Sequence, residues 1–496
     1  MTGHWIGGRH VCPPRARELP VFDPAIGHVA RVAPIGDDGE VRAAVAAASD
    51  AQPAWAAATP SERADVLYRF LHLVRTRIDA LAAVISAEHG KTLDDARAEI
   101  KRGLEIVEYS CAIPVLLQAE MSDSVSRDID SYSIRQPLGI VAGITPFNFP
   151  AMVPMWMFPL AIACGNAFIL KPSERVPSAS LRLAEWLSEA GLPAGIFNVV
   201  QGNGDTVRLL IDAPEIAAVS FVGSTPVARE VHDRARAAGK RVQALGGAKN
   251  HMVIMPDADL DRVCNALMGA AYGSAGERCM AISVAVPVGA ETADKLVERL
   301  AQRIRSLVIG AGDDPATEMG PLVTAAHLER VRGYLDAGVK EGATLVVDGR
   351  ERKVSGREGG FFLGASLFDR VERHMKIYRE EIFGPVLCTV RAADLGAALA
   401  LINDNPFGNG VSLFTNDAAL ARSFAHEVQA GMVGINVPIP VPSAAHSFGG
   451  WKQSMFGEHN VYGREGLRFY TRLKTITARW PRSTTDSSTF VMPTSR

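Results

Sequence analysis

The sequence has almost no net charge: 52 Lys and Arg stand against 54 Asp and Glu, giving −2 over 496 residues. Without a cationic excess, neither nucleic acid nor an anionic membrane surface is an expected partner. Cysteine is scarce, and the six residues Cys12, Cys111, Cys164, Cys264, Cys279 and Cys388 include no CxxC pair. That spacing argues against a zinc cluster or a disulfide framework, so no metal is expected, and it suits a reducing compartment. The stretch Met1–Ile6 lacks a charged run leading into an apolar one, so no signal peptide is expected and the location reads as cytoplasmic. No internal repeat is visible. Charge is missing altogether from Pro137 to Leu170, a length that could span a membrane. Pro146, Pro150, Pro154 and Pro159 interrupt it, and Asn148 and Asn166 are polar, so it reads as a strand, a loop and a buried helix.

What is present is an ordinary globular composition, 47% hydrophobic and 21% charged, in a chain long enough for two or more domains. The first third reads as helical: Asp37 to Trp55 is Ala-rich, an amphipathic run opens at Ser61 and continues to about His89, and another covers Leu93 to Leu117. Apolar runs at Gly139–Ile144, Ala167–Leu170, Phe197–Val200, Ala217–Val222 and Val242–Leu245 then alternate with helical segments such as Ser178–Ala190 and Pro226–Ala238. This rhythm predicts a parallel sheet covered by helices. A second series follows, with strands at His251–Met255, Ile282–Val286, Ala343–Val347, Val386–Val390 and Val411–Phe414, so a boundary is placed at Gly246-Gly247. The polar stretch from Gln118 to Gln136 reads as a hairpin leaving the first domain.

The residue most suggestive of chemistry is Cys279, in Gly276-Glu277-Arg278-Cys279-Met280-Ala281. Small residues lead into it, and the adjacent Arg278 would lower a thiol pKa, as a nucleophile needs. Asn148 follows the strand ending at Ile144, at the carboxyl end where open α/β sheets bind ligands, and an Asn amide there can donate to a developing oxyanion. Lys171-Pro172-Ser173-Glu174 ends the next strand, where the Lys can donate to, and the Glu accept from, ribose hydroxyls. A carboxylate there would favour NAD over NADP, because it repels a 2′-phosphate. Gly223-Ser224-Thr225 links a strand to a helix N-terminus, which suits a pyrophosphate although it is not GxGxxG. Glu381, in Glu380-Glu381-Ile382-Phe383-Gly384-Pro385, could face a cofactor sugar or be an exposed turn acid.

In this order and spacing, the motifs resemble the aldehyde dehydrogenase superfamily over essentially the whole chain, to about Trp480. More narrowly they resemble the CoA-acylating methylmalonate-semialdehyde dehydrogenases, on Gly276–Ala281, Gly247-Ala248-Lys249-Asn250-His251, Asn436-Val437-Pro438-Ile439-Pro440-Val441-Pro442 and Phe469–Thr477. The resemblance implies two Rossmann-like doubly wound α/β domains and a small β oligomerisation element. The expected division is an NAD-binding domain at 1–117 and 138–248 with part of 445–464, a catalytic domain at 249–444, the oligomerisation element at 118–137 and 465–480, and a disordered tail at 481–496. It implies Cys279 as nucleophile and Asn148 with the Cys279 N–H as oxyanion hole. Phe147, Lys171, Glu174, Gly223, Ser224, Glu381 and Phe383 would contact NAD, and Arg102 and Arg278 would receive a substrate carboxylate. Coenzyme A is the implied co-substrate, and a homo-oligomer, a tetramer, the implied assembly. Most hydrolytic members carry Glu in Glu-Leu-Gly-Gly-Lys, where this chain reads Ala244-Leu245-Gly246-Gly247-Ala248-Lys249. The absent acid favours acyl transfer to CoA over a hydrolytic dehydrogenase giving a free acid, and the presence of Cys279, Asn148 and Glu381 together disfavours a non-catalytic NAD-binding protein.

Overall fold

A computed structural model describes residues 2–13 and 17–480. The tail at 481–496, expected to be disordered, lies outside the described residues.

The first sheet has eight strands in the order Arg9–Val11, His4–Ile6, Phe197–Val199, Ala167–Lys171, Ile140–Ile144, Ile216–Val222, Arg241–Leu245, Met455–Phe456. Its central strands, Phe197–Val199 through Arg241–Leu245, are parallel. They are near-continuous apolar runs because helices cover both faces. Strand order reverses beside Ile140–Ile144, which makes the carboxyl end of that strand the place where a crevice opens. The charge-free segment resolves as strand Ile140–Ile144, helix Met152–Ala163 with every residue buried, and strand Ala167–Lys171. The second sheet has seven strands in the order Thr344–Val347, Ser366–Asp369, Val386–Thr389, Ile282–Pro287, Asn250–Ile254, Gly410–Phe414, Met432–Ile435. Each sheet has its own hydrophobic core. A third sheet is small: Glu120–Ser126 and Ile129–Pro137 form a hairpin, and Thr471–Arg479 pairs antiparallel along the whole of Ile129–Pro137.

Several sequence expectations differ from this. The chain does not begin with helices: His4–Ile6 and Arg9–Val11 pair, and Glu18–Asp23 pairs with His28–Pro34. The first two are only three residues long, and the other two form a separate two-stranded sheet with few buried side chains, so alternation is weak in the sequence. The run from Ser61 to His89 is two helices, Pro60–Thr76 and Ile78–His89, broken at Arg77, whose backbone is non-helical. A strand around Phe469 was expected; instead Gly463–Tyr470 is helical, burying Leu467, Phe469 and Tyr470, and the strand starts at Thr471. Strands Ser366–Asp369 and Met432–Ile435 complete the second sheet where none was predicted.

Candidate active site

Cys279 does not lie at the carboxyl end of a strand. It precedes strand Ile282–Pro287, on the far side of a turn forced by left-handed backbone at Ser274, Ala275 and Gly276 (φ 54°, 52° and 72°). Ser and Ala pay strain there that only packing can hold. Gly276 is required twice over, since a Cβ would lie 2.2 Å from the Gly384 carbonyl oxygen. The small residues before Cys279 thus accommodate the protein's own backbone and the Arg278 guanidinium, which would meet a Cβ at Gly273 within 2.6 Å.

The turn brings Cys279 between two hollows. One, of about 200 Å³, is lined by Arg102, Phe149, Trp156, Arg278, Cys279 and Val441, among others. The other is lined by Ala248, Asn250, Arg278, Cys279, Glu381 and Phe383. Residues from helix Leu93–Cys111, the loop after Ile144 and the second sheet therefore converge on one thiol.

Burial pushes that thiol up to about 12, and the nearby Glu381 adds to the rise. The backbone N–H groups of Cys279 and Met280 pull it down, followed by Arg278, without reversing the shift. The expectation that Arg278 produces a low-pKa thiol is thus corrected. Arg278 donates from Nη2 to Asp95 Oδ1 at 2.5 Å, so much of its field is spent on a buried carboxylate. Burial works against ionised Asp95, yet Arg278 and Lys91 hold it below the usual carboxylate range. Arg102 donates to Glu105 at 2.6 Å and to the Pro442 carbonyl at 3.0 Å. Both arginines reach the same hollow, each with a carboxylate neighbour of its own.

Asn148 is buried in the loop Thr145–Ala151, whose Phe149 lines the first hollow. A desolvated ion pair fixes this loop. Lys91 Nζ donates to Glu99 Oε2 at 2.6 Å and to the Asn148 carbonyl at 2.7 Å. Glu99 Oε1 accepts from the Ala151 and Met152 N–H groups at 2.9 and 3.2 Å. Sequence reading missed this pair, since a Lys and a Glu eight positions apart carry no signal of where they point.

The cofactor candidates follow the first sheet. Lys171 Nζ donates to Glu174 Oε2 at 3.1 Å at the end of strand Ala167–Lys171. Thr145 N–H donates to the Lys171 carbonyl at 3.1 Å, tying this end to the Asn148 loop. Gly223 and exposed Ser224 lead into helix Thr225–Ala237, and Ser224 makes no side-chain cap to it. A helix N-terminus with an open hydroxyl fits a pyrophosphate. Phe147 meets the ring of Phe383 edge to face at 5.8 Å. Glu381 Oε1 accepts from the Ala248 N–H at 2.9 Å, and burial raises its carboxyl to about 7. This donor set fits a nucleotide with two sugars. Ala244, where hydrolytic relatives carry Glu, is fully buried and offers no base.

A second group missed by sequence reading is Glu277 with His89 and His327. Glu277 is fully buried, accepts from the Val323 N–H at 3.2 Å, and lies 3.5 Å from His327 Nε2. Burial raises its carboxyl to about 8. Among the described residues no group of three or more His, Cys, Asp or Glu is placed to hold a metal ion, and no helix is long and apolar enough to cross a membrane.

Against known proteins, the pattern of the aldehyde dehydrogenase family matches residues 12–476. The malonate-semialdehyde dehydrogenase of Pseudomonas aeruginosa is 56% identical, covering 99% of each chain. The acylating methylmalonate-semialdehyde/malonate-semialdehyde dehydrogenase of rat mitochondria is 45% identical over 99% of this chain and 92% of its own. Among solved structures, a Sinorhizobium meliloti chain complexed with NAD superposes with a TM-score of 0.97 at 54% identity, covering 98% of this chain and 99% of that one. The methylmalonate-semialdehyde dehydrogenase of Oceanimonas doudoroffii gives 0.96 at 50% identity, covering 97% and 98%.

Proposed function

This chain belongs to the aldehyde dehydrogenase family, and from that premise we propose that it oxidises malonate and methylmalonate semialdehyde to acetyl-CoA and propionyl-CoA, with NAD as oxidant and loss of CO2. One observation carries the reading. Cys279 stands between a hollow holding two guanidinium groups and a hollow holding Glu381 and Phe383. A small aldehyde bearing a carboxylate fits the first, and Glu381 and Phe383 at the second suit contact with the nicotinamide ribose of the cofactor.

Cys279 Sγ attacks the aldehyde carbon as thiolate. We assign the Asn148 amide and the Cys279 N–H to the oxyanion, with Lys91 and Glu99 holding the Asn148 loop. Arg102 and Arg278 take the carboxylate, since guanidinium groups match its geometry. Lys171, Glu174, Gly223, Ser224, Phe147, Glu381 and Phe383 are assigned to NAD, which when bound accepts the hydride. A thioester remains on Cys279, with the carboxylate β to its carbonyl. CO2 leaves, its bonding electrons pass into the carbonyl oxygen held by the oxyanion donors, and the α-carbon takes a proton. The CoA thiol then attacks the carbonyl carbon and Cys279 departs as thiolate. Ala244 offers no base for water, whereas a CoA thiol is far more acidic than water and has less need of one.

The test is NADH production with and without CoA. Without CoA we expect a burst near one equivalent per site and then slow turnover; with CoA, sustained turnover; and no NADH from Cys279→Ala, which should still bind NAD. Rapid steady turnover without CoA would favour the hydrolytic reading, with Glu381 as the candidate base.

We also assign the sheet Glu120–Ser126, Ile129–Pro137 and Thr471–Arg479 to association of copies, as a tetramer. Three strands with both faces open need something to cover them, and Met121, Leu473 and Trp480 are 64%, 58% and 60% exposed. The unpaired cysteines support a reducing, cytoplasmic location.

A further inference from the structure

Two buried asparagines to which no role has been assigned, one of them lining the second hollow, converge on the nucleophile's own backbone. Asn250 Nδ2 donates to the Cys279 carbonyl at 2.9 Å and to the Ala281 carbonyl at 3.0 Å. Asn409 Nδ2 donates to the same Cys279 carbonyl at 3.1 Å and also contacts Met280 Sδ at 3.0 Å. The orientation of Asn250 is fixed, because its Oδ1 accepts from the Gly410 N–H at 3.0 Å. Both side chains are buried, 2% and 5% exposed. They are far apart in sequence, Asn250 opening one strand and Asn409 preceding the neighbouring strand Gly410–Phe414. Gly410 completes the fit, since a Cβ there would lie 2.7 Å from the Met280 methyl.

The Cys279–Met280 peptide is planar and trans, so its C=O and N–H point in opposite directions. Anchoring the oxygen from two donors therefore fixes where the Met280 N–H points, and that N–H is among the groups that pull the Cys279 thiol down. Hydrogen bonds to the oxygen also polarise the peptide and strengthen its N–H as a donor, an effect favoured in a dry interior. We propose that Asn250 and Asn409 are positioning residues that stabilise the Cys279 thiolate through the Cys279–Met280 peptide. This rests on the reading of Cys279 as nucleophile. It supplies what Arg278, committed to Asp95, does not. The other charged or titratable groups near the sulfur are Arg278, Glu381 and Tyr462, and none of them is altered by changing either Asn.

The experiment is the rate of Cys279 alkylation by iodoacetamide at one fixed pH near neutrality in the intact enzyme, read by mass spectrometry at that residue. It follows the thiolate directly and needs no substrate. Asn250→Leu and Asn409→Leu keep the volume and remove the donor. Each should lower the alkylation rate at that pH about tenfold, the loss of thiolate that a rise of about one pH unit in the thiol produces. Each should lower kcat with CoA in excess about tenfold, and in the variant at Asn409, which lies outside the second hollow, KM for NAD should stay unchanged. If a Leu variant does not fold, Asn250→Ser and Asn409→Ser, whose hydroxyls are too short to reach the carbonyl, give the same reading. A folded variant with the wild-type alkylation rate overturns the proposal. Failure of the Cys279 assignment would appear separately, as turnover by Cys279→Ala.

Discussion

At the scale of single residues, the charges around the thiol matter more for where they are committed than for their number. Arg278 is adjacent to Cys279 in sequence, yet its shortest contact is Asp95 at 2.5 Å. It lines the same hollow as Arg102, and the anchor role proposed for the two rests on that placement. Hydrogen bonds to charged partners are worth about 1.5–3 kcal/mol, or roughly 10- to 100-fold in rate when the partner is the substrate. Arg102→Leu and Arg278→Leu should therefore lower kcat/KM for malonate semialdehyde by about that factor and leave propanal, which lacks the carboxylate, far less affected. Equal losses on both aldehydes would reject the anchor assignment.

At the scale of elements, the active-site loops are held by groups that pay for burial with one another. The side chains of Lys91 and Glu99 are fully desolvated, and their hydrogen bonds outside the pair fall on the segment from Asn148 to Met152. Removing one partner leaves a bare buried charge, which costs about 3–5 kcal/mol. Lys91→Met should show that loss in urea unfolding, together with a fall in kcat as the Asn148 loop loosens. A stability loss with kcat unchanged would show that the loop is held by other contacts. Glu277 makes a different prediction. Burial raises its pKa from an ordinary 4.5 to about 8, so the folded chain keeps a proton that the unfolded chain releases. Stability then falls as pH rises between those values. From pH 6.5 to 8 the loss is about 2 kcal/mol, and above 6.5 histidines such as His327, whose pKa is lowered to about 4, no longer contribute. In Glu277→Gln the slope of Tm against pH across that window should flatten; an unchanged slope would place the proton elsewhere.

At the scale of the whole molecule, two sheets, each with its own core, meet at the site, and a third sheet projects from them. Strand Thr471–Arg479 is mostly exposed on both faces although it is paired along its length. Leu473→Asp should place charge on that uncovered surface and shift the enzyme in size-exclusion chromatography from the assembled species toward a smaller one. An unchanged elution volume would show that copies meet elsewhere.

Much of this was legible in the sequence because it is local. The long apolar runs of the two parallel sheets, the Gly turn at 223, the charge-free helix at 152–163 and the motif around Cys279 all express their physics within a few residues. The aldehyde dehydrogenase resemblance was carried by the same motifs. Short edge strands at the N-terminus and the break at Arg77 were not legible, because a three-residue strand has too few side chains to show a period. Nor were the partners of the nucleophile. Asp95, Asn250 and Asn409 lie 183, 29 and 130 residues from the group each contacts. Sequence determined which chemistry the chain can carry: a thiol, an amide, two guanidinium groups and no acid at Ala244. Tertiary structure decided how they are used, because the field at a buried sulfur is set by every group folded against it, and only the packed chain fixes which carboxylate Arg278 meets and which amides grip the Cys279 carbonyl.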